Sequence, residues 1–307
     1  SDLVIIQNER DRAALFARVL EDQVARTLEF SSQASSELVE EMTFVQQRNL
    51  ERLRPSLQKA LASMSAVRSL SIVDSEGKIL MSSHPPDEGR RIDLKRLEPA
   101  PQSGNTEIGS IIPVRYLGEL EQPRAENSVV IHALPMIRYV QGIRGNKYFL
   151  VTLLNPDFLS NLQALALGDT GYSAYLVLTR SSQVIARFNG ASRIGELVTL
   201  SVGLPGNAQP RLYGTYTYTG EGIGAGEQLF ALRSSRNWPV TTIVERPMAR
   251  VLGDWVGLLT WFALVASIAI LVIIIMAYLA MRSMRARDRA RSRLVEQLSF
   301  TEKLLEI

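Results

Sequence analysis

SLSIVDSEGKILMSS, residues 69–83, is the point at which the chain changes its period. Apolar and polar side chains alternate over 69–73, Asp74, Ser75, Glu76 and Gly77 interrupt, and a second strand-like run fills 78–82. That is a β-hairpin pattern, with Gly77 where the turn needs positive φ. Upstream the spacing is helical. Residues 9–54 hold no Pro and no Gly, and Phe16, Leu20, Val24 and Leu28 recur at four-residue steps, a stripe that Leu15 and Val19 widen. Leu38, Met42, Val45, Leu50 and Leu53 continue it, so the stretch reads as one long amphipathic helix, or two with a break near 31–36. Pro55 suits the first turn of a further helix over 56–64.

Downstream of the hairpin come a polar loop at 84–89, a short helix at 92–97 and strand-like runs at 111–117, 129–134 and 147–154. Gly142, Gly145 and Asn146 mark a turn between the last two, and Asn155, Pro156 and Asp157 open a helix through Leu167. The order then begins again, with strands at 172–178, 184–188, 212–218, 228–232 and 240–244. GEGIGAG (220–226) lacks the GKS or GKT sequel of a phosphate loop and reads as a hairpin loop. The expected fold class is therefore α+β, with a helical stalk followed by two mixed modules built on antiparallel sheets.

The longest uncharged run is WVGLLTWFALVASIAILVIIIMAYLAM, residues 255–281. At 1.5 Å per residue it makes a helix about 40 Å long, more than a bilayer core needs. Arg282, Arg285, Arg287, Arg289, Arg291 and Arg293 follow it, opposed only by Asp288, whereas Arg246, Arg250 and Asp254 precede it. The basic flank is expected in the cytoplasm and everything before the run outside it. From Arg282 onward there are seven Lys or Arg against four Asp or Glu, which accounts for the whole net charge of +3. The rest of the chain is neutral, so the basic balance is a membrane flank and not a nucleic-acid surface. The apolar opening at 3–6 and the unfinished helix at 296–307 read as the edges of a fragment, with a first membrane span expected upstream.

With no cysteine there are no disulfides and no thiolate or cysteine-zinc chemistry. The only histidines are His84, expected exposed in its Pro-rich loop, and His132, expected as a partly buried, hydrogen-bonded strand residue. Neither has acidic neighbours at metal-binding spacing, and no catalytic constellation, metal or cofactor is expected.

The order of these features resembles the double Cache (PDC) extracytoplasmic sensor domains of bacterial membrane signalling proteins. Residues 69–83 resemble the first hairpin of the membrane-distal subdomain, and VIHALPMIRYVQGIRGNKYFLVTLLNPDFLSNL (130–162) resembles its central hairpin and exit helix. LGDTGYSAYLVLTRSSQVIARFN (167–189) resembles the first hairpin of the membrane-proximal subdomain, and RNWPVTTIVERPMARVLGDW (236–255) its last strand and descent into the second span. The resemblance implies stalk helices over 1–64, a distal PAS-like subdomain over 65–164, a proximal one over 165–250, a transmembrane helix over 251–281 and a cytoplasmic linker over 282–307. It also implies a homodimer through the long helix and membrane helices, and a ligand pocket in the distal subdomain. The aromatic, Arg and Asp grip of amino-acid-binding members is not evident in GELEQPRAENS (118–128).

Arg115, Tyr116, Arg138, Tyr139, Tyr148 and Asp157 are the candidate ligand-binding residues. Arginine offers a fork of donors for a carboxylate, and tyrosine an apolar face with one polar end. Each has an ordinary alternative: a solvated strand face for the Arg and Tyr residues, a helix cap for Asp157. The expected partner is a small molecule or a periplasmic protein. The parent is expected to be a sensor histidine kinase, with a diguanylate cyclase or phosphodiesterase, or a non-catalytic adaptor, as the alternatives. RSRLVEQLSFTEKLLEI (291–307) has an incomplete apolar seam suited to a parallel dimer.

Overall fold

The computed structural model describes residues 2–45, 47–98, 105–121, 130–199 and 214–305. It begins with α1 (Asp2–Ala34), α2 (Ser36–Phe44) and α3 (Arg54–Ser63). The break falls at Ser35, inside the interval read from the sequence, and Pro55 sits in the first turn of α3. Ala13, Ala17, Leu20, Val24 and Leu28 form the buried stripe of α1. Leu15 and Val19 do not widen it: they are 58% and 40% exposed, because a four-residue step from 15 tracks a different side of the helix.

Two five-stranded sheets follow. The first holds β1 (Val67–Asp74), β2 (Ile79–Ser82), β3 (Thr106–Ile108), β4 (Leu134–Gln141) and β5 (Lys147–Leu154), in the order β2-β1-β5-β4-β3. After α4 (Pro156–Leu167), the second holds β6 (Ser173–Leu178), β7 (Val184–Phe188), β8 (Thr215–Glu221), β9 (Glu227–Ser234) and β10 (Val240–Pro247), in the order β7-β6-β10-β9-β8. The two orders are the same, and every pairing is antiparallel. Gly77 has φ +84°, and a Cβ there would collide with the Ile92 carbonyl, which is why the β1–β2 turn takes glycine.

Two strand readings need correcting. Of the strand expected at 129–134, Val129 lies outside the described residues; the described part enters the sheet only at Leu134, after a single bridge between Ala133 and Ile112. Pro135 is tolerated because β3 has only three residues and its register ends at Met136, leaving no ladder donor to supply at 135. The run 111–117 is not a strand either. Pro113 cannot donate to a ladder, and the chain turns into a 3-10 helix at Leu117–Glu121. Of the strand read at 212–218, residues 212–213 lie outside the described residues, and β8 extends to Glu221.

One face of the first sheet, carrying Leu70, Ile72, Met136 and Leu150, packs under Val24, Leu28, Leu38, Met42 and Leu57 of the helices. The same core continues through Leu176, Leu178 and Ile185 of the second sheet. The other face of the first sheet is filled by Ile137, Val151 and Leu153 against Ile92, Leu97, Ile112, Val114, Leu117 and Leu120 of the covering loops.

The chain ends in α5 (Met248–Leu305), a compact unit of its own from Ala249 onward. Within it Leu259–Arg285 is 27 residues long, holds an 18-residue window with a mean hydropathy of 2.9 and none of that window buried, and is long and apolar enough to cross a membrane. Arg282, Arg285 and Arg287 are exposed on this helix; the side chains of Arg289, Arg291 and Arg293 lie outside the described residues.

Leu28→Ala is expected to destabilise the folded region by about 2–5 kcal/mol in urea unfolding, through a cavity in the shared core. Leu165→Ala, at a position 85% exposed, is expected to change it by under about 0.5 kcal/mol.

Candidate functional site

Polar and charged side chains that could serve a function gather in three places. The first is a polar cluster at the end of the first sheet where β1 begins. Its centre is Arg68, which sequence reasoning missed because a lone Arg beside a strand carries no signal. Arg68 donates from Nη1 to the His132 carbonyl at 3.0 Å and from Nη2 to Asn155 Oδ1 at 2.7 Å. Burial pushes its guanidinium below the ordinary value, against the nearby charge of Asp157. Asn155 Oδ1 also accepts the Asp157 N–H at 3.2 Å, so Asn155 caps α4 and Asp157 stands exposed in its first turn, not at the cap as expected.

Arg115 and Tyr116 join the same cluster. The Arg115 guanidinium lies 5.5 Å from the Tyr116 ring centroid, and Tyr116 stacks on His84 with centroids 3.8 Å apart and planes within 2°. His84 is therefore half-buried, not exposed as its Pro-rich loop suggested; its Nδ1 lies 3.2 Å from Asp87 Oδ1. Asp87 is buried, and its Oδ2 has no hydrogen-bond partner among the described residues. A Cβ on Gly118 would approach Asp87 Oδ1 to 2.5 Å, so glycine is what lets that chain segment close over the carboxylate.

Arg138, Tyr139 and Tyr148 are not part of this cluster. Adjacent residues of a strand face opposite ways, so Arg138 and Tyr139 cannot share a pocket wall. Tyr139 packs on Phe149, centroids 5.8 Å apart. Tyr148 is buried in the helix-side core, its ring against Gly142. Arg138 instead lines an open groove of about 620 Å³ with Glu29 and Ser32 of α1, Glu107 of β3, Arg180 of the β6–β7 turn and Trp238 before β10.

The third place lies where β10 ends. Glu9 of α1 accepts hydrogen bonds from the Tyr172 hydroxyl at 2.5 Å and from Arg246 Nη1 at 2.8 Å, and Arg246 stacks over the Tyr172 ring at 5.2 Å. Burial alone would raise the Glu9 carboxyl, but the hydrogen bonds from Tyr172 and Arg246 and the Arg246 charge together bring it below the ordinary carboxylate value. Farther along α1, Glu21 pairs with Arg233 of β9 at 3.0 Å. Beside Arg246, the buried Glu245 accepts backbone N–H groups from Ile223 at 2.9 Å and Gly224 at 2.8 Å. Burial raises its carboxyl, an effect those N–H groups partly offset. The glycine-rich run is the β8–β9 hairpin loop, and its glycines admit a protein carboxylate: a Cβ at Gly222 would come within 2.6 Å of Glu245 Oε2.

No family model matches the chain, and no curated protein matches it. Solved structures do. The extracellular domain of rpHK1S-Z16, assigned as a histidine kinase, superposes with TM-score 0.59 at 14% identity, over 81% of this chain and 98% of that one. The ligand-binding domain of the Pseudomonas aeruginosa PAO1 amino acid chemoreceptor PctB, in complex with L-Arg, gives 0.56 at 10% identity, over 82% and 93%. An extracellular ligand-binding receptor from Desulfohalobium retbaense DSM5692 gives 0.55 at 12% identity over 76% of this chain, which spans 40% of that one. At these identities the likeness is one of fold. That fold is a long N-terminal helix followed by two Cache-like antiparallel-sheet subdomains.

A lowered carboxyl contributes stability above its unfolded value, about 4.3 for Glu, and loses it as pH falls through the folded value. Glu9→Gln is therefore expected to destabilise the protein at pH 7 by about 1–3 kcal/mol. It should also flatten the loss of stability in the acid range, as read from urea midpoints at pH 7 and at lower pH.

Proposed function

We propose that this chain is the sensing and transmitting region of a bacterial transmembrane signalling receptor. One observation carries the reading. β10 is a central strand of the second sheet, its residue Arg246 is bonded to Glu9 of the first helix, and the next residue after β10 begins the apolar helix α5. A displacement of the sheet against α1 therefore has a covalent route into a membrane-crossing segment. A stimulus acts by binding one arrangement of these parts more tightly than another.

In this proposal residues before 255 lie outside the inner membrane and the arginine-rich flank lies in the cytoplasm. The receptor is a homodimer along α1, a reading supported by Val4, Leu15, Val19 and Phe30, which are 40–62% exposed on one side of that helix. Their spacing of four and eleven residues keeps them within one arc of the helix surface. The stimulus is a small molecule or a periplasmic protein. Arg115, Tyr116 and Asp157 are its proposed contacts at the Arg68 cluster. The amino-acid ligand of PctB makes amino acids the first class to screen there. The proposed output is a histidine kinase, a choice supported by the likeness to the rpHK1S-Z16 domain over nearly all of its length.

Two measurements test the proposal. In the intact parent, Arg246→Met is expected to shift the basal output by about fivefold or more, the lower end of typical coupling energies. Exchanging the two charges, Glu9→Arg with Arg246→Glu, should bring it back towards wild type. An unchanged output from a folded, membrane-inserted Arg246→Met protein would falsify the coupling. The chain has no cysteine, so single cysteines report topology directly. A membrane-impermeant maleimide should label Leu165→Cys in intact cells and Ser292→Cys only after permeabilisation. The reverse pattern overturns the orientation.

A further inference from the structure

The groove between α1, β3 and the turns of the second sheet has a feature the rest of the fold does not use. Arg138 projects from β4 on the side facing the stalk, and its register partners are Thr106 and Leu150. Neither supplies a charge. Its Nε is buried, and among the described residues its guanidinium makes no hydrogen bond and no ion pair. A buried Nε donor without a partner is costly, since it loses water and gains nothing. The rest of the side chain is partly exposed and lines the groove, where an entering ligand can reach it.

The opposite wall supplies a second fork. Arg180 Nη2 donates to the carbonyls of Ile108 at 2.6 Å and Glu98 at 3.3 Å, which fixes the plane of the guanidinium at the lip of the groove. Trp238, 8% exposed, adds a flat apolar surface to the same space. Glu29 and Glu107 also line the groove, and no ion pair ties either of them to Arg138 or Arg180.

We propose that this groove is a binding site for a small organic carboxylate, with Arg138 and Arg180 as its donors and Trp238 against its carbon skeleton. A planar fork matches a carboxylate through two parallel N–H bonds. The two glutamates balance the two arginines before anything binds, so a second negative charge on the ligand is opposed. The site thus selects monocarboxylates and zwitterions over dicarboxylates. The inference deepens the sensor proposal by giving it a ligand class at a site distinct from the Arg68 cluster. The groove is walled by α1 and by both sheets, so an occupant touches all three bodies whose arrangement has to change.

Binding is measured by calorimetry on the whole chain in lipid nanodiscs, with propionate, L-alanine, succinate and inorganic phosphate as probes. Propionate or L-alanine should bind, succinate at least about tenfold more weakly. Arg138→Met and Arg180→Met should each weaken binding by roughly ten- to a hundredfold. Lys147→Met, exposed at the start of β5, should leave it unchanged. If either arginine variant fails to fold, Glu29→Gln replaces it and should tighten binding of propionate. The proposal is overturned if no carboxylate binds at about 10 mM, if phosphate binds as well as propionate, or if binding survives Arg138→Met or ignores Glu29→Gln. Because no signalling output is read, the two proposals fail separately. An empty groove in a receptor that still signals sinks this proposal alone, whereas the sensor reading stands or falls on the output of Arg246→Met.

Discussion

Each five-stranded sheet leaves an apolar face that cannot stay wet, and the N-terminal helices are what cover them. α1 lies along β8, β9 and β10 of the second sheet, and its final turns reach β3 of the first, where Ser32 and Thr106 share a hydrogen bond at 3.1 Å. One continuous core therefore includes Leu28, Leu70, Leu150 and Leu176, residues drawn from the stalk and from both sheets. The two sheets are not independent beads on a stalk. Removing the stalk would expose apolar area on both at once, at about 25 cal/mol for each Å².

The polar contacts between the sheets follow from what sheet formation leaves undone. β3 is a three-residue edge strand, and such an edge presents unpaired carbonyls. The β6–β7 turn of the second sheet answers them: Arg180 takes the Ile108 carbonyl, and Gln183 Oε1 accepts the Ile111 N–H at 3.0 Å. The same hairpin turn that closes one sheet thus finishes the edge of the other. The Glu245 carboxylate does comparable service within the second sheet, holding the glycine-rich hairpin loop by two backbone N–H groups.

Much of this architecture was legible in the residues because it is periodic. The stalk, the hairpin at 69–83, the repeat of strand order and the apolar span are each written as spacing, and spacing survives without knowledge of the fold. Strand borders at Pro113 and Pro135 were not legible, because a proline's fate depends on which neighbour strand lies beside it. The site was less legible still. Arg115, Tyr116 and Asp157 were singled out by chemistry and do fall around one centre, but that centre, Arg68, is 47 residues from its contact at Arg115 and 87 from Asn155. Arg138 and Tyr139 were singled out by the same chemistry, whereas the pleat sends them to opposite faces. Tertiary assembly decides such groupings, and one sequence alone does not encode them in any local pattern.

The shared strand order also has a mechanical side. In each sheet the first and last strands are neighbours and antiparallel, so the chain enters and leaves at the same end: Val67 lies opposite Leu154, and Ser173 opposite Glu245. Tension between those two ends loads the hydrogen bonds one after another and opens the pair like a zipper, whereas strands pulled lengthwise past each other must break all their bonds together. Compliance under such tension is thereby built into the strand that runs on into α5. Tyr172 and Arg246, gripped by Glu9, sit at the first tooth of that zipper and act as its latch.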